Sequence, residues 1–133
     1  MGRNFGAVSG VILAILFAIP ISAATIAPFY ANSYSLDNLG SVSGVPTRYG
    51  GLTFMADDPN IILLGGTANT SSGLFYEIPV TRGPDNHIVS LGSATRLGFG
   101  INNDGGIAYG PGGVLFYSEW PINMVGEVKP GST

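Results

Sequence analysis

The chain has 133 residues, of which only 10% are charged, with eight acidic residues, five basic residues and no cysteine. The formal net charge of −3 argues against nucleic acid as a partner, and the lack of cysteine excludes disulfides and thiolate chemistry. Hydrophobic residues make up 45% of the chain, so the high content of Gly (21) and Pro (9) indicates many turns rather than disorder.

The N-terminal residues have the order of a secretory signal peptide. Arg3 precedes an unbroken apolar run over 11–19, which Pro20 ends, and Ser22, Ala23 and Ala24 then supply small residues at cleavage spacing. The run is short compared with the roughly 20 residues of a membrane-spanning helix. We therefore expect residues 1–24 to form a signal helix that is cleaved, leaving no membrane span, in a protein that is secreted, periplasmic or on the cell surface. A retained anchor is the alternative.

The rest of the chain has strand-length apolar runs and no sustained helical period. Turn-forming stretches such as DDPN, RGPDN, NNDGG and GPGG separate these runs. This pattern predicts an all-β protein. The runs are LTFM (52–55), IILLG (61–65), GLFYEIPV (73–80), HIVSL (87–91), IAYG (107–110), VLFYSEW (114–120) and VGEVK (125–129).

Parts of this pattern occur twice. GGLTF at 50–54 is matched by GGIAY at 105–109, an offset of 55 residues. Alignment of Leu64 with Phe116 gives an offset of 52, and Glu77 with Glu127 gives 50. Four short strands at a period near 50 are typical of a β-propeller blade. A β-sandwich with similar strands is the alternative.

The spacing predicts about one and a half four-stranded blades. Residues 49–100 would form the first blade and 101–133 an incomplete second blade, while 25–48 would supply a linker and an outer strand of a preceding or closing blade. A closed propeller needs at least four blades. We therefore expect the sequence to be a fragment of a longer protein; a complete chain would instead form a homo-oligomer.

Two parts of the chain resemble known propellers. GGLTF, DPNIILLGG and GLFYEIPV, and then GGIAYGPGGVLFYSEWPINMVGEVKPGS, resemble blades of NHL-type or gluconolactonase-like propellers. The final segment is also similar to secreted bacterial proteins that carry a PEP-CTERM sorting tail. The resemblance covers roughly residues 49–133.

The resemblance implies an exported, non-catalytic binding or scaffold module for a ligand or protein that the sequence does not identify. One alternative is part of a propeller enzyme, of the lactone hydrolase or sugar dehydrogenase type, with its active site mostly outside this chain. Another is a surface or filament protein that assembles by strand addition.

Three residues are candidates for ligand binding. Glu119 and Trp120 together offer a carboxylate and a flat apolar ring, which sugar sites often use; a Trp packed between blades is the ordinary alternative. His87 is the only histidine and could act as a ligand or as an acid or base, although a histidine in a turn is usually a surface residue. No catalytic set can be assembled from these residues.

Two clusters of oxygen-bearing side chains suit calcium, the only cofactor that the sequence suggests. They contain Asp57 and Asp58 in one turn, and Asn102 and Asp104 in another. Their spacing is not that of the calcium loop of EF-hands, and turn chemistry explains the same residues without a metal.

Overall fold

A computed structural model of the chain describes residues 24–132. The chain divides into two compact units, Met1–Asp37 and Asn38–Thr133. The expected signal helix lies outside the described residues, except for Ala24. In the rest of the first unit, residues 28–33 form turns, and the rings of Phe29 and Tyr30 meet edge to face at 5.1 Å. No helix within 24–132 has the length and hydropathy needed to cross a membrane.

The second unit consists of two antiparallel β-sheets, which confirms the all-β prediction for the described residues. The first sheet has the order β1-β2-β3-β4, and the short β5 pairs with β3 beside β4. The second sheet has the order β6-β7-β8. The strands are β1 (Leu52–Phe54), β2 (Ile61–Gly66), β3 (Leu74–Arg82), β4 (Ile88–Leu91), β5 (Thr95–Arg96), β6 (Asn103–Tyr109), β7 (Leu115–Glu119) and β8 (Met124–Val128).

The central strand β2 of the first sheet is buried on both faces. On one face, Val42 and Val45 pack against β2 and β3, covering Ile62, Leu64, Tyr76 and Ile78. These two valines belong to residues 38–48, which form turns and bends rather than a strand. A strand that is buried on both faces needs apolar side chains in both directions, which explains why β2 reads IILLGG without alternation.

The two sheets pack face to face through a second apolar cluster. Leu63 and Phe75 from the first sheet meet Leu115 and Tyr117 from the second. The rings of Phe75 and Tyr117 lie edge to face, with centroids 5.1 Å apart, an arrangement favoured by the ring quadrupoles. The core of the unit therefore lies between the sheets as well as under the first one.

The start of β6 is fixed to the first sheet by a buried amide. The Asn103 side chain is fully buried, and its Nδ2 donates to Gly100 O at 2.6 Å and to Gly66 O at 3.4 Å. A Cβ atom on Gly50 or Gly65 would collide with Asn103 Oδ1. These two glycines are required because the backbone of the first sheet passes directly against the amide.

The strand registers of the two sheets correspond when Leu52 and Ile107 are taken as equivalent. Leu52 lies opposite Leu64 in the first sheet, and Ile107 lies opposite Tyr117 in the second. Leu64 therefore corresponds to Tyr117, an offset of 53 residues, and not to Phe116. The one-residue difference matters because neighbouring residues of a strand point to opposite faces. Glu77 and Glu127 lie opposite Leu63 and Phe116 respectively, so their offset of 50 agrees with the register.

The inter-sheet core gives a prediction about stability. Leu63 is 1% exposed between the sheets, so Leu63→Ala should lower the free energy of unfolding by about 2–5 kcal/mol, because it removes buried methyl groups and leaves a cavity. Leu39→Ala, at an exposed leucine of the same unit, should cost less than about 1 kcal/mol. Urea unfolding followed by tryptophan fluorescence measures both values. Equal losses would show that the sheets do not pack as described.

Candidate functional site

An open groove of about 360 Å³ lies between the two sheets, at the end where β1, β6 and β8 finish. Its walls come from segments far apart in the chain, so it exists only because the sheets pack together. We call it the inter-sheet groove. Its lining includes Met55, Asp57, Glu77, Leu97, Phe99, Tyr109, Leu115, Val128 and Lys129.

The floor of the inter-sheet groove is apolar. Leu115 is buried there as part of the core between the sheets. Other apolar side chains, which are only partly buried, pack against this core at its edge. The groove is thus a place where that core remains open to solvent. Apolar floors with a few polar groups are typical of small-molecule sites. These marginal side chains are Met55, Leu97, Phe99 and Val128.

The polar groups of the groove are Asp57, Glu77, Tyr109 and Lys129. Tyr109 Oη donates to Met55 Sδ at 3.2 Å. Burial raises the pKa of the Tyr109 phenol above its ordinary value, and the negative charges of Asp57 and Glu77 raise it further. Asp57 and Glu77 therefore place two carboxylates in the same groove as the Tyr109 hydroxyl.

The carboxylates of the groove have no cationic ion-pair partner within residues 24–132, whereas the Lys129 ammonium has a carboxylate partner. Lys129 Nζ lies 3.8 Å from Glu127 Oε1, and no ion pair forms at Asp57 or Glu77 in this part of the chain. An apolar floor beside two unpaired carboxylates suits a ligand with an apolar body and a group that donates hydrogen bonds, above all a charged amine.

The structure does not bring the four predicted calcium ligands together. Asp57 and Asp58 follow the end of β1, whereas Asn102 and Asp104 lie around the start of β6. The start of β6 lies beside the opposite end of β1, where Gly51 N donates to Asp104 O at 2.7 Å. Within residues 24–132, no group of three or more His, Asp or Glu side chains could hold a metal ion.

Three of these four residues have structural contacts of their own. Asp58 Oδ1 accepts a hydrogen bond from Asn60 N at 2.8 Å. Asn102 has a φ of 53°, which Asn tolerates better than most residues, and its carbonyl accepts from Trp120 N at 3.0 Å. When the Asn69 amide is oriented with its nitrogen towards Asp104, that nitrogen donates a hydrogen bond to Asp104 Oδ1 at 3.2 Å. Asp57 is the predicted ligand that lines the groove.

The three candidate ligand-binding residues lie outside the groove. Trp120 is in the turn between β7 and β8 and is 51% exposed, so it does not pack between the sheets. Glu119 ends β7. Burial raises the pKa of the neighbouring Tyr117 phenol, and the negative charge of Glu119 raises it further. His87 Nδ1 lies 3.1 Å from Asp85 Oδ2 in the exposed turn between β3 and β4.

Sequence reasoning missed Glu77, Tyr109 and Lys129 as parts of a site, and it missed Asn103 as the residue that joins the sheets. Glu77 and Tyr109 are visible in the sequence as members of matched segments, but the matching does not show which face they occupy. Their convergence depends on how the sheets stack.

Comparison of the chain with models of protein families, with curated proteins and with solved structures finds no match. The resemblance to NHL-type and gluconolactonase-like propellers therefore stays a prediction.

The half-buried phenol of Tyr109 and the buried phenol of Tyr117 predict loss of stability at alkaline pH. The pKa values of Tyr109 and Tyr117 are raised above 10.0 in the folded protein, so the unfolded chain loses these protons first. The free energy of unfolding should therefore fall as the pH rises from about 10 towards the folded-state pKa values, and this contribution is fully present below about pH 10. Urea unfolding between about pH 9 and about pH 11 measures the effect.

The matched variant is Tyr109→Phe/Tyr117→Phe, which keeps the rings and removes both ionisable groups. It should lose less stability over this pH range than the wild type. Tyr34→Phe, at an exposed tyrosine of the first unit, controls for removal of a phenol elsewhere. The same loss in the double variant as in the wild type would contradict the assignment.

Proposed function

We propose that the chain is part of an exported β-propeller module that binds a small ligand, without catalysis, in the inter-sheet groove. The observation that carries the proposal is the groove itself, in which an apolar floor lies beside Asp57 and Glu77, two carboxylates without an ion-pair partner in the described chain. Export rests on the signal-like pattern of residues 1–24.

The arrangement of the strands supports the propeller interpretation. The first sheet follows the chain in order from β1 to β4, as the strands of a blade do. The second sheet has three strands in the same order and corresponding register. The two sheets stack face to face, and β1 lies beside β6 through Gly51 N and Asp104 O. In a propeller the first strands of successive blades lie side by side around the central channel.

The charges of the groove favour a cationic ligand. Asp57 and Glu77 contribute two negative charges, and the positive charge of Lys129 is shared with Glu127. A charge-assisted hydrogen bond between a carboxylate and an amine contributes about 1.5–3 kcal/mol. The apolar floor would cover the body of such a ligand, for which burial contributes roughly 25 cal/mol per Å². We therefore propose amines that carry an aromatic or aliphatic body as the ligand class.

The test compares two probes of similar shape and opposite charge, 2-phenylethylamine and 3-phenylpropanoate, by protein-observed NMR titration of the full chain. The amine should bind more tightly than the carboxylate. Glu77→Gln should weaken amine binding about tenfold, the equivalent of about 1.4 kcal/mol, and leave the carboxylate no weaker. Asp85→Asn removes an exposed carboxylate from the turn between β3 and β4, outside the groove, and should change neither affinity.

Equal affinities for the two probes would contradict the proposed ligand class. If neither probe shifts the resonances of Met55 and Tyr109, the groove is not a binding site for small ligands of this kind.

A further inference from the structure

The second sheet ends on a strand that has no neighbour beyond it in residues 24–132. Its strand order is β6-β7-β8, so β8 pairs only with β7. In the first sheet, the corresponding strand β3 has β2 along one edge and both β4 and β5 along the other. The position that β5 occupies beside β3 is therefore open beside β8 in the described part of the chain.

The outer edge of β3 shows how such a position is filled. Phe75 directs both of its backbone polar groups away from β2, because its N donates to Phe99 O at 2.8 Å and its O accepts from Leu97 N at 2.9 Å. Together with the pairing of β5, these bonds place residues 95–99 along the outer edge of β3.

Val125 offers the same backbone groups on β8. It corresponds to Phe75, since each lies two residues before one of the equivalent glutamates, Glu127 and Glu77. Successive residues of an antiparallel strand bond alternately to the strands on its two sides. The Val125 N–H and C=O therefore point away from β7, and no backbone group within 24–132 bonds to them.

β8 lacks most of the features that keep an edge strand from pairing. It has no proline, its one charged residue, Glu127, is paired with Lys129, and its five residues pair with β7 in unbroken register. By contrast, β1 has only three residues, and the pairing of β3 with β4 shifts register between Thr81 and Arg82. Short strands and bulges protect sheet edges. The edge of β8 is thus regular enough to accept a further strand.

The exposed side chains beside this edge indicate what the added strand must carry. Val125 is 72% exposed, and Phe116 of β7, on the same face, is 39% exposed. The residues of β2 and β3 that correspond to them are buried in the inter-sheet core. The segment added to β3 contributes two apolar side chains to that core, Leu97 and Phe99. A strand added to β8 in the same way would cover Val125 and Phe116.

We propose that β8 binds an extended segment of a partner polypeptide, antiparallel to β8, with two apolar side chains spaced two residues apart. A row of outward N–H and C=O groups is complementary to peptide backbone, which makes an extended peptide the occupant. In each copy of this chain, residues 95–99 are already bonded to β3. A second copy cannot supply them without breaking that pairing, so the added strand comes from a different protein. The inference does not depend on the ligand proposed for the inter-sheet groove.

The experiment uses NMR on the isotope-labelled full chain with a synthetic probe, acetyl-SATRLGFG-amide, which has the sequence of residues 93–100. A matched peptide, acetyl-SATRSGSG-amide, keeps the backbone and lacks the two apolar side chains. The Val125 amide should exchange rapidly with solvent in the free chain, and SATRLGFG should slow that exchange by about tenfold or more. The serine peptide should bind about tenfold more weakly or less.

Three variants locate the bound peptide. Val125→Pro removes the outward N–H and leaves the bonds between β7 and β8 in place, so it should weaken binding of SATRLGFG by about tenfold or more. Val125→Ala shortens the side chain and keeps the N–H, so it should weaken binding less. Val89→Pro is the control, at an exposed residue of β4 that pairs with no residue of β3, and it should leave binding unchanged. Circular dichroism checks that each variant is folded.

Four results would overturn the proposal. Slow exchange of the Val125 amide in the free chain would show that the chain itself or a second copy already covers the edge. Failure of SATRLGFG to bind, or equal binding of the two peptides, would remove the proposed partner chemistry. Unchanged binding by a folded Val125→Pro would place the peptide elsewhere. If Val125→Pro does not fold, the exchange of the Val125 amide and the comparison of the two peptides still decide the outcome.

Discussion

Asn103 lies fully buried at the point where the second sheet meets the first, with its amide nitrogen bonded to the carbonyls of Gly66 and Gly100. Its Oδ1 atom has no donor in the described chain and faces the backbone of Gly50 and Gly65. The amide nitrogen can be buried here because the surrounding backbone approaches closely and supplies two carbonyl acceptors. The paired glycines at the start of β1 and the end of β2 provide that approach, so one side chain and its glycine surroundings determine how the two sheets dock.

The other features of the molecule depend on this docking. With the start of β6 held beside β1, the aromatic rings of Phe75 and Tyr117 meet in the core between the sheets. At the far end of the same strands the core opens into the inter-sheet groove, where Asp57 and Glu77 lie near the Tyr109 hydroxyl. The docking covers one face of the second sheet and leaves Phe116 and Val125 exposed on the other.

The sequence allowed the strands to be predicted because short apolar runs between Asp, Asn, Gly and Pro turns are a local signal. The correspondence of Glu77 with Glu127 also agrees with the strand register. The alignment of Leu64 with Phe116 is wrong by one residue. Turns of unequal length separate the strands, so sequence matching alone does not determine which residues of two strands are equivalent. The groove could not be predicted, since Asp57, Glu77 and Tyr109 converge only after the sheets stack. Asn103 looked like one turn residue among several, and its burial depends on glycines 38 and 53 positions earlier in the chain.

A double-mutant cycle between Gly65 and Asn103 tests the junction most directly, with the free energy of unfolding measured by urea for the wild type, Gly65→Ala, Asn103→Ala and the double variant. Gly65→Ala in the wild type forces a methyl group against Asn103 Oδ1 and should cost about 2 kcal/mol or more. In the Asn103→Ala background that obstacle is gone, so the same substitution should cost less than half as much, with a coupling energy of at least about 1 kcal/mol. Additive effects, within about 0.5 kcal/mol, would contradict the account.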